Sequence, residues 1–311
     1  MKYRWTETEE IKTLLIRLEA LKIALEKTKK LPHVELGLRQ KSLLKSAVYS
    51  ARIEGLPDEE TAPRKASQNL LTAYNYIYSH RESELSLVLM KKLHRMVMRG
   101  LSPGAGSLRV EPWAIFDQAG NAIYLAPLPH DLPPLLDNYL RDIKQLRVHG
   151  AVVASLAQFI FEKIHPFADG NGRVGRLISA LVLEQRGFGF RGLVPFERYI
   201  ETHRDGYYRT LEQNTDATEF ITFFLEAVSA ELDQMLDQFI GGEEKPEDLL
   251  LPRRREMLTI LSDHPVCSFD FLRRRFMAVN EKTLHNDLAR LMKQGFVKKI
   301  GSTRGAVYSK T

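Results

Sequence analysis

Cysteine is almost absent: the 311-residue chain has one, Cys267. This excludes a disulfide within the chain and a zinc site built from several thiolates. The apolar surroundings of Cys267 predict a core residue, not a nucleophile. Long apolar runs are missing too. The most apolar stretch, residues 151–164, is interrupted by Ser155, Gln158, Glu162 and Lys163. It also falls short of the roughly 18 residues a membrane span needs. The opening MKYRWTETEE has no apolar core of a secretory signal. These absences predict a soluble, cytoplasmic protein with no membrane partner. No internal repeat or low-complexity segment is found. What remains is an ordinary globular composition, 44% hydrophobic and 27% charged, over a length that suits two domains.

The charge is unevenly placed. Residues 253–311 carry 13 Lys and Arg against 5 Asp and Glu, a local balance of +8 in a chain of net +6. The rest is therefore slightly acidic, and the basic excess belongs to the C-terminal tail. Such asymmetry points to a polyanionic partner for that part, nucleic acid foremost.

Helical periodicity dominates. Ile11, Leu14, Leu15, Leu18, Leu21 and Leu25 form one apolar stripe, and further helical patterns cover residues 35–54, 66–79, 85–99, 135–146, 152–163, 172–185, 204–213 and 217–239. Between residues 101 and 134, Trp113 and Ile115, then Ile123 and Leu125, alternate about a Gly120-Asn121 turn, which predicts a β-hairpin. A breaker-rich linker, residues 241–252, follows the last of these helices. Beyond it, three helices (253–262, 269–276 and 281–294) precede two strands around a basic turn, 298–304.

The chemistry concentrates in HPFADGNGRVGR, residues 165–176. A His follows an apolar helix, and Asp169-Gly170-Asn171-Gly172 makes a tight turn. A new helix then opens with Arg173 and Arg176 on one face. Glycines let backbone N–H groups approach a phosphate, and a helix N-terminus adds partial positive charge. Two arginines there can clamp further phosphate oxygens. Asp169 suits Mg²⁺, which favours a carboxylate together with substrate phosphates. His165 has a side-chain type able to take a hydroxyl proton near neutral pH. Together these are the parts for attack by a hydroxyl on a metal-bound phosphate. The spacing alone does not distinguish attack at the α-phosphate from attack at the γ-phosphate.

This segment resembles the Fic signature (HxF, an acidic residue, GNG, Rxx, R) and matches it at every signature position. The resemblance implies that His165 is the general base, Phe167 the loop's core anchor and Asp169 the Mg²⁺ ligand. Gly170, Asn171 and Gly172 would form the anion cradle, and Arg173 and Arg176 would contact the terminal phosphates of ATP. Attack would then fall at the α-phosphate and leave AMP on a protein hydroxyl. Trp113, Ile115, Ile123 and Leu125 would belong to a flap that docks the target by strand addition. Phe116 stands where a small residue is expected. Gly106-Ser107-Leu108-Arg109 and the Tyr207-Tyr208 pair also sit where the family has similar residues, and the tyrosines would line the adenine pocket or pack in the core.

Ser50-Ala51-Arg52-Ile53-Glu54-Gly55 resembles the family's inhibitory motif. Ser50 and Glu54 share a helix face, and the resemblance implies that Glu54 pairs with Arg176 and occupies the γ-phosphate's place.

The expected fold class is mainly α: a Fic-type helical domain with a short β-hairpin flap over residues 1–240, a linker at 241–252 and a winged-helix domain at 253–311. In the last tail helix Leu284, Leu288 and Leu291 face inward, whereas Lys282, His285, Asn286 and Arg290 face outward, with Lys298, Lys299 and Arg304 on the wing. Those outward types suit a DNA groove and its phosphates, and protein docking or dimerisation is the alternative. The leading function is an autoinhibited protein adenylyltransferase that moves AMP from Mg-ATP to a Ser, Thr or Tyr of a protein target, itself included. The alternatives are AMP removal or another nucleotidyl or phosphoryl transfer on the same fold, and a nucleotide-sensing DNA-binding regulator. A homodimer stays open.

Overall fold

The apolar stripe that begins at Ile11 becomes α1 (Glu9–Lys27), entered through Thr8, whose hydroxyl accepts the Ile11 N–H at 3.2 Å. A computed structural model describes residues 3–28, 32–55, 62–116, 122–212, 215–241, 247, 250–301 and 306–311. The chain divides into two units, residues 1–29 with 37–241 and residues 30–36 with 242–311. Each has its own apolar core, and among the described residues no helix is long and apolar enough to cross a membrane.

In the first unit α2 (Pro32–Ile53), from residue 37 onward, α3 (Ala62–Ser79) and α4 (Leu87–Val97) follow α1. A two-stranded antiparallel ribbon comes next, β1 (Ala114–Phe116) against β2 (Ala122–Leu125). It pairs Ala114 with Leu125 and Ile115 with Tyr124, with a register irregularity between Ile115 and Phe116. The Gly120-Asn121 turn expected to join the strands lies outside the described residues. Then come α5 (Leu132–Gln145), α6 (Gly150–Ile164), α7 (Asn171–Gln185), α8 (Glu197–Thr202), α9 (Arg204–Thr210) and α10 (Thr218–Gly241). The interruptions that make residues 151–164 too polar for a membrane do not spare α6 from burial. Ser155 and Gln158 are fully enclosed, and each is hydrogen-bonded, as a buried polar group must be. Helix α6 and its partner α7 thus form the centre of the unit, wrapped by α4, α5 and α10.

The second unit runs α11 (Pro252–Asp263), β3 (Cys267–Ser268), α12 (Phe269–Arg275), α13 (Glu281–Lys293), β4 (Val297–Ile300) and β5 (Val307–Lys310). Its sheet is antiparallel in the order β3-β5-β4. Cys267 is a buried free thiol in that core. Residues 242–246 of the expected linker are outside the described residues, and its last residue, Pro252, opens α11 at a position where a missing N–H costs nothing.

Candidate active site

Being apolar on nearly every side, α6 carries its C-terminus into the interior, and His165 ends it in the left-handed conformation, φ 49° and ψ 60°. Its N–H still donates to the Phe161 carbonyl at 2.9 Å. The imidazole stacks on the Trp113 indole, 3.6 Å between centroids and 25° between planes. Burial lowers the His165 pKa from 6.5 to about 4, outweighing its bond to the Glu162 carbonyl, and the nearby Arg109 charge pushes the same way. The ring is therefore neutral at physiological pH. Nδ1 lies 3.3 Å from the Glu162 carbonyl, so Nδ1–H donates there and the Nε2 lone pair is the one able to take a proton.

Phe167 anchors the loop that follows. Its side chain is fully buried and stacks face to face on His94, with centroids 3.8 Å apart, a burial worth about 1.5–3 kcal/mol. Asn171 closes the loop with two bonds to one residue: Oδ1 accepts the Phe167 N–H at 2.9 Å and Nδ2 donates to the Phe167 carbonyl at 2.7 Å. Its side chain is thus committed to the loop, and what it can offer a phosphate is its backbone N–H. Gly170 turns the chain at φ +79°, where a Cβ would meet Met98 Sδ at 2.7 Å. The first bond of α7 runs from Val174 N–H to the Gly170 carbonyl. The amides of Asn171, Gly172 and Arg173 therefore have no partner within the helix and form an anion-ready N-terminus.

The two arginines have different surroundings. Arg173 Nη2 donates to Asp169 Oδ1 at 2.8 Å. Arg176 is fully buried and its Nη2 donates to Glu54 Oε1 at 2.7 Å and to the Ser50 carbonyl at 2.9 Å, while Nε donates to the Ser50 hydroxyl at 2.9 Å. Burial alone would lower the Arg176 pKa, but Glu54 above all, with Tyr207, holds it above its ordinary value. Arg176 Nη1 has no partner among the described residues. A Cβ on Gly172 would collide with Glu54 Oε1 and stand 3.2 Å from Arg176 Nη1, so the carboxylate lies against the start of α7. The end of α2 is itself fastened: Arg204 donates to the Arg52 carbonyl at 2.6 Å and Tyr208 to the Ile53 carbonyl at 2.9 Å.

The tyrosine pair divides. Tyr207 is buried, receives a bond from Gln158 at 2.9 Å and packs on Phe220 and Phe223, whereas Tyr208 is 44% exposed. In the ribbon, Leu125 is 64% exposed and the Tyr124 hydroxyl donates to the Lys163 carbonyl. The side chains of Ile115, Phe116 and Ile123 lie outside the described residues. In the second unit, Lys282, His285, Asn286, Arg290, Lys298 and Lys299 are all exposed, with His285 stacked on Phe269 at 3.8 Å. Arg304 lies outside the described residues.

Two residues at the site, His94 and Glu162, carry no warning in the sequence, and a third, Arg109, is marked there only by its place in the Gly106–Arg109 resemblance. His94 accepts the Gly106 N–H at Nδ1 (2.8 Å), which fixes Nε2–H as the donor to the Asp169 carbonyl (2.9 Å). Arg109 bonds to the His165 carbonyl at 2.7 Å. Glu162, a charged break in an apolar stretch, has an enclosed Oε1 without a partner among the described residues. Burial, and next the Glu54 charge, push its carboxyl up to about 8. All three contacts join segments far apart in the chain, which periodicity cannot show.

Among the described residues no group of three or more His, Cys, Asp or Glu gathers to hold a metal. The side chain of Asp169, 62% exposed beside the α7 N-terminus, is a hard oxygen donor. It fits an ion that brings the substrate's phosphates as its other ligands, as Mg²⁺ does.

The Fic/DOC family model matches residues 84–183. A probable protein adenylyltransferase of Aquifex aeolicus is 30% identical over 131 residues, 41% of this chain and 39% of that one. The protein adenylyltransferase Fic of Drosophila virilis is 27% identical over 175 residues, 53% of this chain and 33% of that one. The chain thus spans between a third and two fifths of the length of these curated relatives. Among solved structures, a Fic family protein from Desulfovibrio desulfuricans G20 superposes with a TM-score of 0.66 at 20% identity, covering 100% of this chain and 98% of that one. A segment of Fic-1 from C. elegans gives 0.57 at 16% identity, covering 74% and 72%. At such identities the superpositions speak for the fold. The chain therefore carries a Fic/DOC family domain, and the loop from His165 to Arg176 lies within it.

Proposed function

We propose that this protein is an adenylyltransferase that moves AMP from Mg-ATP to a Ser, Thr or Tyr hydroxyl of a protein, and that Glu54 holds it inactive. The observation that carries this reading is a neutral His165 next to a phosphate-ready helix start whose buried arginine is already paired with Glu54. The names of the relatives support the reaction class.

In this reaction the target hydroxyl oxygen attacks the α-phosphorus and His165 Nε2 takes its proton. A new P–O bond forms, the bond to the β-phosphate oxygen breaks, and pyrophosphate leaves. The α7 amides and Arg173 and Arg176 hold the β- and γ-phosphates through charge-assisted bonds. Mg²⁺, held by Asp169, would offset phosphate charge. The ribbon presents the target backbone beside Trp113 and His165, and Tyr208, the exposed member of its pair, would be the tyrosine that meets adenine.

The proton-accepting role has a direct spectroscopic consequence. Because burial disfavours the imidazolium, the His165 ring protons should show no titration between about pH 5.5 and 8. Their midpoint should lie near the about 4 that its surroundings impose. NMR titration, with the signals assigned by their loss in His165→Ala, makes the measurement. A midpoint at the ordinary 6.5 contradicts the buried, neutral base.

For the second unit we propose DNA binding by a winged helix. What favours it is the exposed row Lys282, Asn286 and Arg290 on α13 with Lys298 and Lys299 on β4, whereas Arg253 and Arg254 are consumed by Asp287 at 2.5 and 2.8 Å. Replacing Lys298 and Lys299 by Glu should weaken binding to any duplex and flatten the slope of log K against log[salt] by about 2. Fluorescence anisotropy of a labelled duplex reads this. No binding at low salt, or an unchanged slope, removes DNA as the partner and leaves protein docking.

A further inference from the structure

We propose that Arg109 is a positioning residue that locks His165 to both ends of the flap ribbon; its catalytic consequence rests on the adenylyltransferase reading above. Arg109 is 5% exposed, and all three nitrogens of its guanidinium donate to backbone carbonyls. Nε donates to His165 at 2.7 Å, Nη1 to Glu111 at 3.1 Å and Nη2 to Pro127. Its own N–H donates to the Pro166 carbonyl at 3.0 Å. Glu111 precedes β1 and Pro127 follows β2, so one planar group holds the residue of the base and the two feet of the ribbon at once.

The carbonyl it takes from His165 belongs to a residue in the left-handed region, φ 49°, which non-glycine residues leave unless surrounding contacts hold them there. Arg109 provides two such contacts, one on His165 and one on Pro166. The segment it pins at Glu111 leads directly to Trp113, whose indole covers the imidazole. If the ribbon feet moved, that cover would move with them, and so would the target backbone relative to Nε2. A lysine cannot replace this arrangement, because a single ammonium has neither the reach nor the planar fork to serve three carbonyls on different segments. The hydrogen bonds of the Arg109 guanidinium all run to backbone carbonyls, so it acts through His165 and the ribbon, not on the substrate.

The experiment uses the full chain with Trp5→Phe, which leaves Trp113 the one indole of the two in the sequence. Arg109, Arg109→Lys and Arg109→Gln are compared on it, with and without Glu54→Gly. Acrylamide quenching of Trp113 reads the stack, and helix content by circular dichroism confirms folding. Arg109→Lys retains the charge and the aliphatic stem and serves if the Gln variant does not fold. Both variants should quench several-fold more strongly. In the Glu54→Gly background, kcat for AMP transfer should fall about tenfold to hundredfold through misplacement of the base, with KM for ATP within about twofold. Quenching and kcat at parental values in either folded variant overturn the proposal, as does full rescue by Lys. If the Glu54→Gly chain with Arg109 intact transfers no AMP, the adenylyltransferase reading fails, and the quenching alone then decides on Arg109.

Discussion

Replacing Glu54 by glycine should raise AMP transfer by about tenfold to hundredfold, the worth of one charge-assisted hydrogen bond at 1.5–3 kcal/mol. The physical case rests on Arg176. Its guanidinium is fully buried and its carboxylate partner lies 2.7 Å away. With Glu54 in place, an entering γ-phosphate must compete for Nη2 and for the space beside Gly172 that the carboxylate fills. With glycine there, both are released. The guanidinium retains the Ser50 hydroxyl and carbonyl, which keep it aimed at the start of α7. It also keeps a buried charge that has lost its directly bonded carboxylate, which is costly. Glu54→Gly should therefore melt at lower temperature than the parent without nucleotide and regain more stability than the parent does when Mg-ATP is added. Equal activity and equal nucleotide stabilisation in the two proteins would remove the brake from this account.

Replacing His165 by alanine in the Glu54→Gly background should lower the rate by about a hundredfold to ten-thousandfold, the contribution of a positioned general base. ATP affinity should change by no more than about twofold, because the phosphate contacts belong to α7 and its arginines and not to the imidazole. Isothermal titration with Mg-ATP and a single-turnover transfer assay separate the two. A drop in affinity matching the drop in rate would make His165 a binding group and not a base.

The parts of this protein legible in its sequence are those that local pattern controls. The stripe from Ile11 to Leu25, the helices on either side of His165 and the ribbon around residues 114–125 all sit where periodicity and turn chemistry place them. The loop was readable because a helix end, a tight turn and a helix start must follow one another in sequence. The six-residue helix α8 and the two-residue strand β3 escaped because neither is long enough to show a period; β3 exists only because Tyr308 and Val307 pair with it from the far end of the unit. Asn171 belongs to the phosphate cradle that the sequence suggests through its backbone N–H, because its side chain is spent on Phe167. Tyr207 and Tyr208 looked alike, and only packing against Phe220 and Phe223 separates the buried one from the exposed one. His94, Arg109 and Glu162 matter through partners up to 108 residues away, such as Glu54 beside Glu162, and no spacing rule encodes such meetings. The pairing of Glu54 with Arg176 spans 122 residues and was reached in advance only through a family resemblance.

The most direct test of the central claim uses α-labelled and γ-labelled ATP with Mg²⁺ and cell lysate, and compares the parent, Glu54→Gly and the Glu54→Gly/His165→Ala double variant. Protein label should come from the α-position alone, strongest in Glu54→Gly and absent from the double variant. Label from the γ-position, or no α-label in any of the three, would contradict it and turn the assignment to phosphoryl transfer, to AMP removal or to a nucleotide-sensing DNA binder.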